Sequence, residues 1–130
     1  MRSHAREAVF KFIFSRLFNS NDEGLFDVLI SELNNSDKQF ATDLLSAIDA
    51  KIEDYYNLIE NLAIGYKLNR ILNADKCAIL IGMAEFDLFK ETPVPVIIDE
   101  AVKIVAKYST ENSTDFVNGI LAEYVRRNNG

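Results

Sequence analysis

The segment Ile71-Leu72-Asn73-Ala74-Asp75-Lys76-Cys77-Ala78-Ile79-Leu80-Ile81-Gly82-Met83-Ala84-Glu85-Phe86-Asp87-Leu88-Phe89 decides the fold. From Cys77 to Ala84, counting Gly82, no side chain is polar over eight residues. That run is far short of the ~20 residues a membrane-spanning helix needs. A helix that is apolar all round must be covered on every side by protein. The segment therefore predicts a central, buried helix. Asn73 is its expected N-cap, and Asp75 falls in the first turn, where the helix dipole favours an anion. Cys77 reads as a small core residue.

Helical periodicity continues on both sides of this segment. Val9, Ile13 and Leu17 form one i,i+4 row, and Phe10, Phe14 and Phe18 form the adjacent row, widened by Phe12. This stripe is too broad for one core face. It needs either a second helix of the same domain or a docked protein. Ser20-Asn21-Asp22-Glu23 reads as a capping box before a helix bearing Leu25, Phe26, Leu29, Ile30 and Leu33. Asn34-Asn35 ends that helix, and Ser36-Asp37-Lys38-Gln39 reads as a second capping box. Phe40, Leu44, Ile48, Ile52, Tyr55, Ile59 and Leu62 then predict one long helix, with Gly65 as its C-cap.

Pro93-Val94-Pro95 is the clearest break in the chain. A helix from about residue 96 to 108 follows, with Ile98, Ala101, Val102 and Val105 inward and Asp99, Lys103 and Lys107 as an exposed charge row. Residues 109–113 read as a polar loop. Asn112 is the expected cap of a last helix with Asp115 at its third position and Phe116, Ile120, Leu121 and Tyr124 inward. The count is six to seven helices with no convincing strand. One all-α domain over residues 1–130 is expected.

Composition narrows the chemistry. The chain holds 14 Lys+Arg against 20 Asp+Glu, a formal charge of −6, with one Cys and one His. One Cys excludes an internal disulfide and any multi-cysteine zinc motif, and one His removes His-rich metal sites. No nucleotide-loop, nucleophile-elbow or zinc-protease motif is present. Glu85, Asp87, Glu91 and Glu100 read as a solvated acidic face. No targeting segment or membrane span is visible, so a cytoplasmic protein is expected. The acidic balance argues against nucleic-acid binding by bulk charge alone.

Two local features point to a ligand. Arg2, His4 and Arg6 place positive charge at a helix N-terminus, where the macrodipole disfavours it, and a polyanion would relieve that cost. Gly119 sits inside the last helix at a cost of about 1 kcal/mol. It reads as a site of close helix packing or of close ligand approach, and its neighbour Asn118 as a loop support or a reader of a partner.

Four blocks then give the chain a family likeness. They are His4-Ala5-Arg6-Glu7-Ala8, Tyr66 to Lys76 (YKLNRILNADK), Pro93 to Val102 (PVPVIIDEAV) and Ser113 to Leu121 (STDFVNGIL). Together they resemble the NusB family of transcription antitermination factors over the whole chain. The same domain is similar to the N-terminal module of bacterial rRNA cytosine methyltransferases, whose catalytic domain has no counterpart here. The resemblance implies two packed helical bundles, with no cofactor, no metal and no catalysis. It implies binding of single-stranded boxA RNA on nascent rRNA transcripts, together with the small ribosomal protein NusE, in support of the RNA polymerase elongation complex and of rRNA maturation. Carried over residue by residue, it implies RNA contacts at Arg2, Arg6, Asn112 and Phe116 and a NusE surface at Phe14 and Asp75; His4 of the basic cluster and Asn118 complete the candidate RNA set, and Phe18 of the aromatic row completes the partner surface. Ser3 and His4 stand where the family often has Arg. Leu80 stands where it usually has Arg, and Ala84 where it usually has Tyr. A protein-interaction module whose RNA contact has largely decayed is the alternative.

Overall fold

The computed structural model describes residues 2–18 and 24–129. The capping box expected at Ser20 to Glu23 lies outside them. The described chain forms α1 (Arg2–Arg16), α2 (Leu25–Ile30), α3 (Asn35–Ala50), α4 (Ile52–Leu62), a 3-10 turn (Leu68–Arg70), α5 (Asn73–Leu88), α6 (Val94–Tyr108) and α7 (Glu111–Asn128), with no strand among the described residues.

Helix α5 is the axis. Every residue from Cys77 to Phe86 is buried. Ile79, Leu80, Ile81 and Met83 are each at most 2% exposed, which is worth roughly 1.5–3 kcal/mol per side chain. On one side α1 packs with α2, α3 and α5, and on the other α6 and α7 form a hairpin against α5, joined by α4. These are the two expected bundles, and they share α5. Leu80 and Ala84, which stand where the family usually has Arg and Tyr, are core residues here. Burial pushes the Cys77 thiol up to about 12, which makes it inert as a nucleophile.

Several helix boundaries differ from the sequence reading, among them the start of α6, which is Val94 rather than residue 96, and the C-cap of α4, which is Ala63 rather than Gly65. The long helix is broken at Lys51, whose backbone leaves helical geometry (φ −126°, ψ 22°) and whose N–H bonds Ile48 O at 3.2 Å. The break lets α3 pack on α1 and α5 while α4 packs on α5 and α7. The apolar spacing runs through unbroken because Ile48 and Tyr55 are both buried. Helix α3 is capped by Asn34, whose Oδ1 accepts the Asp37 N–H at 2.8 Å, rather than from Ser36. Asn73 is the first residue of α5 and Leu72 holds the cap position without a side-chain bond. The cap of α7 is Thr110 rather than Asn112, and its N–H donates to Ser113 Oγ at 3.3 Å.

Pro95 lies in the first turn of α6. An N–H at that position has no intrahelical acceptor, so its absence costs nothing. The inward face of α6 is Ile97, Glu100, Ala101, Ile104 and Val105, while Ile98 and Val102 are half-buried. Asp99 pairs with Lys103 at 3.1 Å, but Lys107 leaves the row and pairs with Glu7 of α1 at 3.0 Å. On α7, Val117, Ile120, Leu121 and Tyr124 are buried and Phe116 is half-buried.

The two helical glycines exchange roles. A Cβ on Gly82 would lie 2.6 Å from Leu121 Cδ1, so Gly82 is where α7 comes close to α5. A Cβ on Gly119 would meet nothing within 4 Å, so close packing does not explain that residue. Gly82→Ala is therefore expected to lower stability. Overpacking costs about 1–3 kcal/mol against a helix-propensity gain of about 1 kcal/mol. Gly119→Ala is expected to raise stability by about 0.5–1 kcal/mol. Urea unfolding of the two variants should move in opposite directions.

Candidate functional site

Arg6 is one residue of the expected RNA set, and the structure places it in the interior. It is 4% exposed. Its Nε and Nη2 donate to the two oxygens of Glu85 at 2.7 and 2.6 Å, and its Nη1 donates to Glu100 Oε1 at 2.8 Å. Ser3 Oγ also donates to Glu100. Burial alone would lower the Arg6 pKa, but the hydrogen bond and charge of Glu85, then of Glu100, hold it above its ordinary value. The guanidinium ties α1 to α5 and α6, and at 4% exposure it is out of reach of a phosphate at the surface. Glu85 and Glu100 are thus its buried counter-charges rather than part of a solvated face.

Asp87 has a similar fate. It accepts the hydroxyls of Tyr55 at 2.7 Å and Tyr124 at 2.8 Å, joining α4 and α7 to α5. Burial, then the bond to Asp87, pushes both phenols upward. Of the four carboxylates read as a solvated face, only Glu91 is exposed. It lies 3.7 Å from Arg2. The Arg2 guanidinium also sits 4.5 Å from the Phe40 ring centroid. Carboxylates of the chain itself therefore relieve much of the charge at the start of α1.

The remaining RNA candidates fall in four places. Arg2 lines a cleft of about 860 Å³ with Glu91, Asp99 and Lys103. His4 is exposed and shares a shallow groove with Glu7, Lys11 and Glu32. Asn118 lies on a different face of α7, in a groove with Asp99 and Asp115 that repels a polyanion.

Asn112 and Phe116 do come together. One helical turn apart on α7, they line a groove of about 430 Å³ with Tyr66, Arg70, Leu72 and Thr110. The Tyr66 and Phe116 rings meet edge to face at 5.9 Å. Tyr66 is 56% exposed, and no ion pair involves Arg70 among the described residues. An exposed and a half-buried ring beside a guanidinium without an ion pair can stack a base and hold its phosphate. Tyr66 and Arg70 were absent from the residues singled out as a site. The available signal was an aromatic and an arginine in the polar connection after Gly65, whose φ of +87° turns the chain there.

The aromatic row of α1 forms a ladder leading from the core to the surface. Tyr108 stacks on Phe10 at 5.1 Å, Phe10 on Phe14 at 5.7 Å, and Phe14 meets Phe18 at 5.2 Å. Phe10 is buried, Phe14 half-buried, and Phe18 is 68% exposed beside the exposed Leu17. Asp75, expected on the same partner-facing surface, is buried. Ser109 donates to its Oδ1 at 2.8 Å and Ser113 to its Oδ2 at 3.0 Å. Among the described residues, no group of His, Cys, Asp and Glu side chains could hold a metal ion.

The profile described as the NusB family matches residues 3–126. A transcription antitermination protein NusB of Agathobacter rectalis is 33% identical over 95% of this chain and 98% of its own length. A solved structure of T. maritima NusB superposes with a TM-score of 0.90 at 30% identity, covering 97% of this chain and 91% of that one. A crystal structure of the antitermination factors NusB and NusE in complex with double-stranded RNA superposes with a TM-score of 0.85, covering 97% and 96%. At 24% identity that likeness is one of fold.

Arg6→Ala would leave Glu85 and Glu100 buried without their cation. Losing one partner of a buried ion pair costs about 3–5 kcal/mol. The expected outcome is a melting temperature lower by roughly 10 °C or more. A calorimetric melt within a degree or two of the wild type would show that the triad is dispensable.

Proposed function

This chain belongs to the NusB family, and from that premise we propose that it is a transcription antitermination factor acting in the cytoplasm. It binds single-stranded boxA RNA of nascent rRNA transcripts together with the small ribosomal protein NusE, in support of the RNA polymerase elongation complex. The observation that carries the RNA half is the groove of Tyr66, Arg70, Asn112 and Phe116, which joins stacking surface to positive charge. Arg2 and His4 add a second, weaker contact at the start of α1. Arg6 supports the site only through the fold. For the protein half, Phe18 and Leu17 offer an exposed apolar anchor at the end of the α1 ladder, and the −6 charge favours encounter with a basic ribosomal protein. Relatives that share the family carry the name of antitermination proteins.

The burial of Arg6 also favours a second reading, in which the domain is a protein-interaction module whose RNA contact has largely decayed. Anisotropy titration of labelled boxA RNA, with and without NusE, separates the two. Phe116→Ala and Arg70→Ala should each weaken RNA binding by about 1–3 kcal/mol, Arg70→Ala with little change in stability and Phe116→Ala with a partial loss because its ring also packs against the core. Arg2, Arg70 and one or two lysines neutralise three or four phosphates at most. The slope of log K against log salt should then be only roughly −2 to −3. RNA affinity that ignores both substitutions, with NusE binding intact, would establish the second reading.

The protein surface has its own test. Phe18→Ala should weaken NusE binding by about 2 kcal/mol or more if Phe18 is an anchor. At 68% exposure it should leave the melting temperature nearly unchanged. Isothermal titration showing wild-type NusE affinity would remove Phe18 from the interface.

A further inference from the structure

We propose that Asp75 is a positioning residue for the Tyr66–Phe116 groove, acting through Ser109 and Ser113 to fix the first turn of α7. The proposal rests on the groove being the RNA site. The connection between α6 and α7 is two residues, Ser109 and Thr110. Asp75, in the first turn of α5, binds both ends of it. Oδ1 takes the Ser109 hydroxyl from the end of α6, and Oδ2 takes the Ser113 hydroxyl from the start of α7. Ser109 and Ser113 are 2.9 Å apart, and Thr110 Oγ1 lies 3.0 Å from Ser113 Oγ. Asp75 is 4% exposed and Ser113 1%.

Among the described residues no cation pairs with Asp75. Its charge is met by these hydroxyls and by the N-terminal end of the α5 dipole. A buried carboxylate held this way has few alternative geometries, because turning it away leaves a desolvated anion. That constraint passes to Asn112, adjacent to Ser113, and to Phe116, one turn further on. Both line the groove whose wall Asp75 itself completes. With both oxygens engaged and almost no surface, Asp75 is poorly placed to meet a protein partner. Its place in the molecule is to hold the groove's polar and aromatic lining in register before RNA arrives. Preorganisation of this kind appears as affinity, because the ordering cost is met in the free protein.

The test uses the full chain, labelled single-stranded boxA RNA and purified NusE. Asp75→Ala is expected to weaken RNA binding about tenfold, as expected for losing a charged hydrogen-bonded anchor, and to leave NusE affinity unchanged. In a Phe116→Ala background the same change should add little, since both act through one wall of the groove. Amides 109–113 should exchange faster in Asp75→Ala while the protection of α5 persists. If Asp75→Ala does not fold, Ser109→Ala and Ser113→Ala carry the test, each removing one hydroxyl while keeping the carboxylate. If Phe116→Ala weakens RNA binding and Asp75→Ala does not, the positioning role is wrong and the RNA reading stands. RNA affinity indifferent to both would overturn the groove itself. Loss of NusE binding with RNA affinity intact would return Asp75 to the partner surface.

Discussion

Arg6 donates from α1 to carboxylates on two other helices, and the geometry of both bundles is set around that contact. An isolated buried charge is costly, so the guanidinium, Glu85 and Glu100 must be brought together with their hydrogen bonds nearly complete. Arginine suits the position because its planar fork meets Glu85 through two parallel bonds while a third N–H turns to Glu100. The Ser3 hydroxyl and Lys103 Nζ, at 3.5 Å, supply Glu100 with further partners. Among the described residues no buried side-chain nitrogen or oxygen lacks a hydrogen-bond partner. A hydrophobic replacement of all three groups could be as stable, but it would not distinguish one helix register from another.

That distinction matters because α5 has little else to fix its rotation. A helix buried on all sides could turn about its axis and still bury much the same area. Three carboxylates along it remove the freedom. Asp75 engages the connection between α6 and α7, Glu85 engages Arg6 of α1, and Asp87 engages Tyr55 of α4 and Tyr124 of α7. Together they engage α1, α4 and both ends of the α6–α7 hairpin, so only one rotation and one axial position satisfy all three. The apolar surface supplies the driving force and the acids supply the uniqueness.

The helical class, the central helix and most of the inward row of α7 were legible in the sequence because periodicity reports burial, whereas the rows of α1 run from the buried Val9, Phe10 and Ile13 out to the exposed Leu17 and Phe18. The break at Lys51 was not, since α3 and α4 keep the same apolar spacing across it and differ only in which helices they meet. Carboxylate roles were the least legible. Glu85 and Asp87 read as surface acids because a charge looks the same in sequence whether water or a buried arginine receives it. The burial of Arg6 was hidden for the same reason, as its partners lie 79 and 94 positions away. Likewise Asn112 and Phe116 could be paired from their i,i+4 spacing, whereas Tyr66 and Arg70 reach them only through the tertiary fold.

The ion pairs also bear on how an acidic domain could hold the proposed RNA. Among the described residues, Arg2, Arg6, Lys11, Arg16, Lys103, Lys107, Arg126 and Arg127 all lie within ion-pair distance of a carboxylate of the chain. Those cations are partly neutralised before any phosphate approaches, and a net charge of −6 opposes the polyanion at long range. Affinity from phosphate neutralisation is therefore small. Stacking on Tyr66 and Phe116 is insensitive to that balance, because it acts at contact and on the uncharged face of a base. Among the described residues no carboxylate pairs with Arg70, which lines the groove beside those rings, so it can meet a phosphate without first giving up an internal bond. The groove joins the two terms that an acidic surface elsewhere withholds, and that is the physical reason to place RNA there rather than along α1.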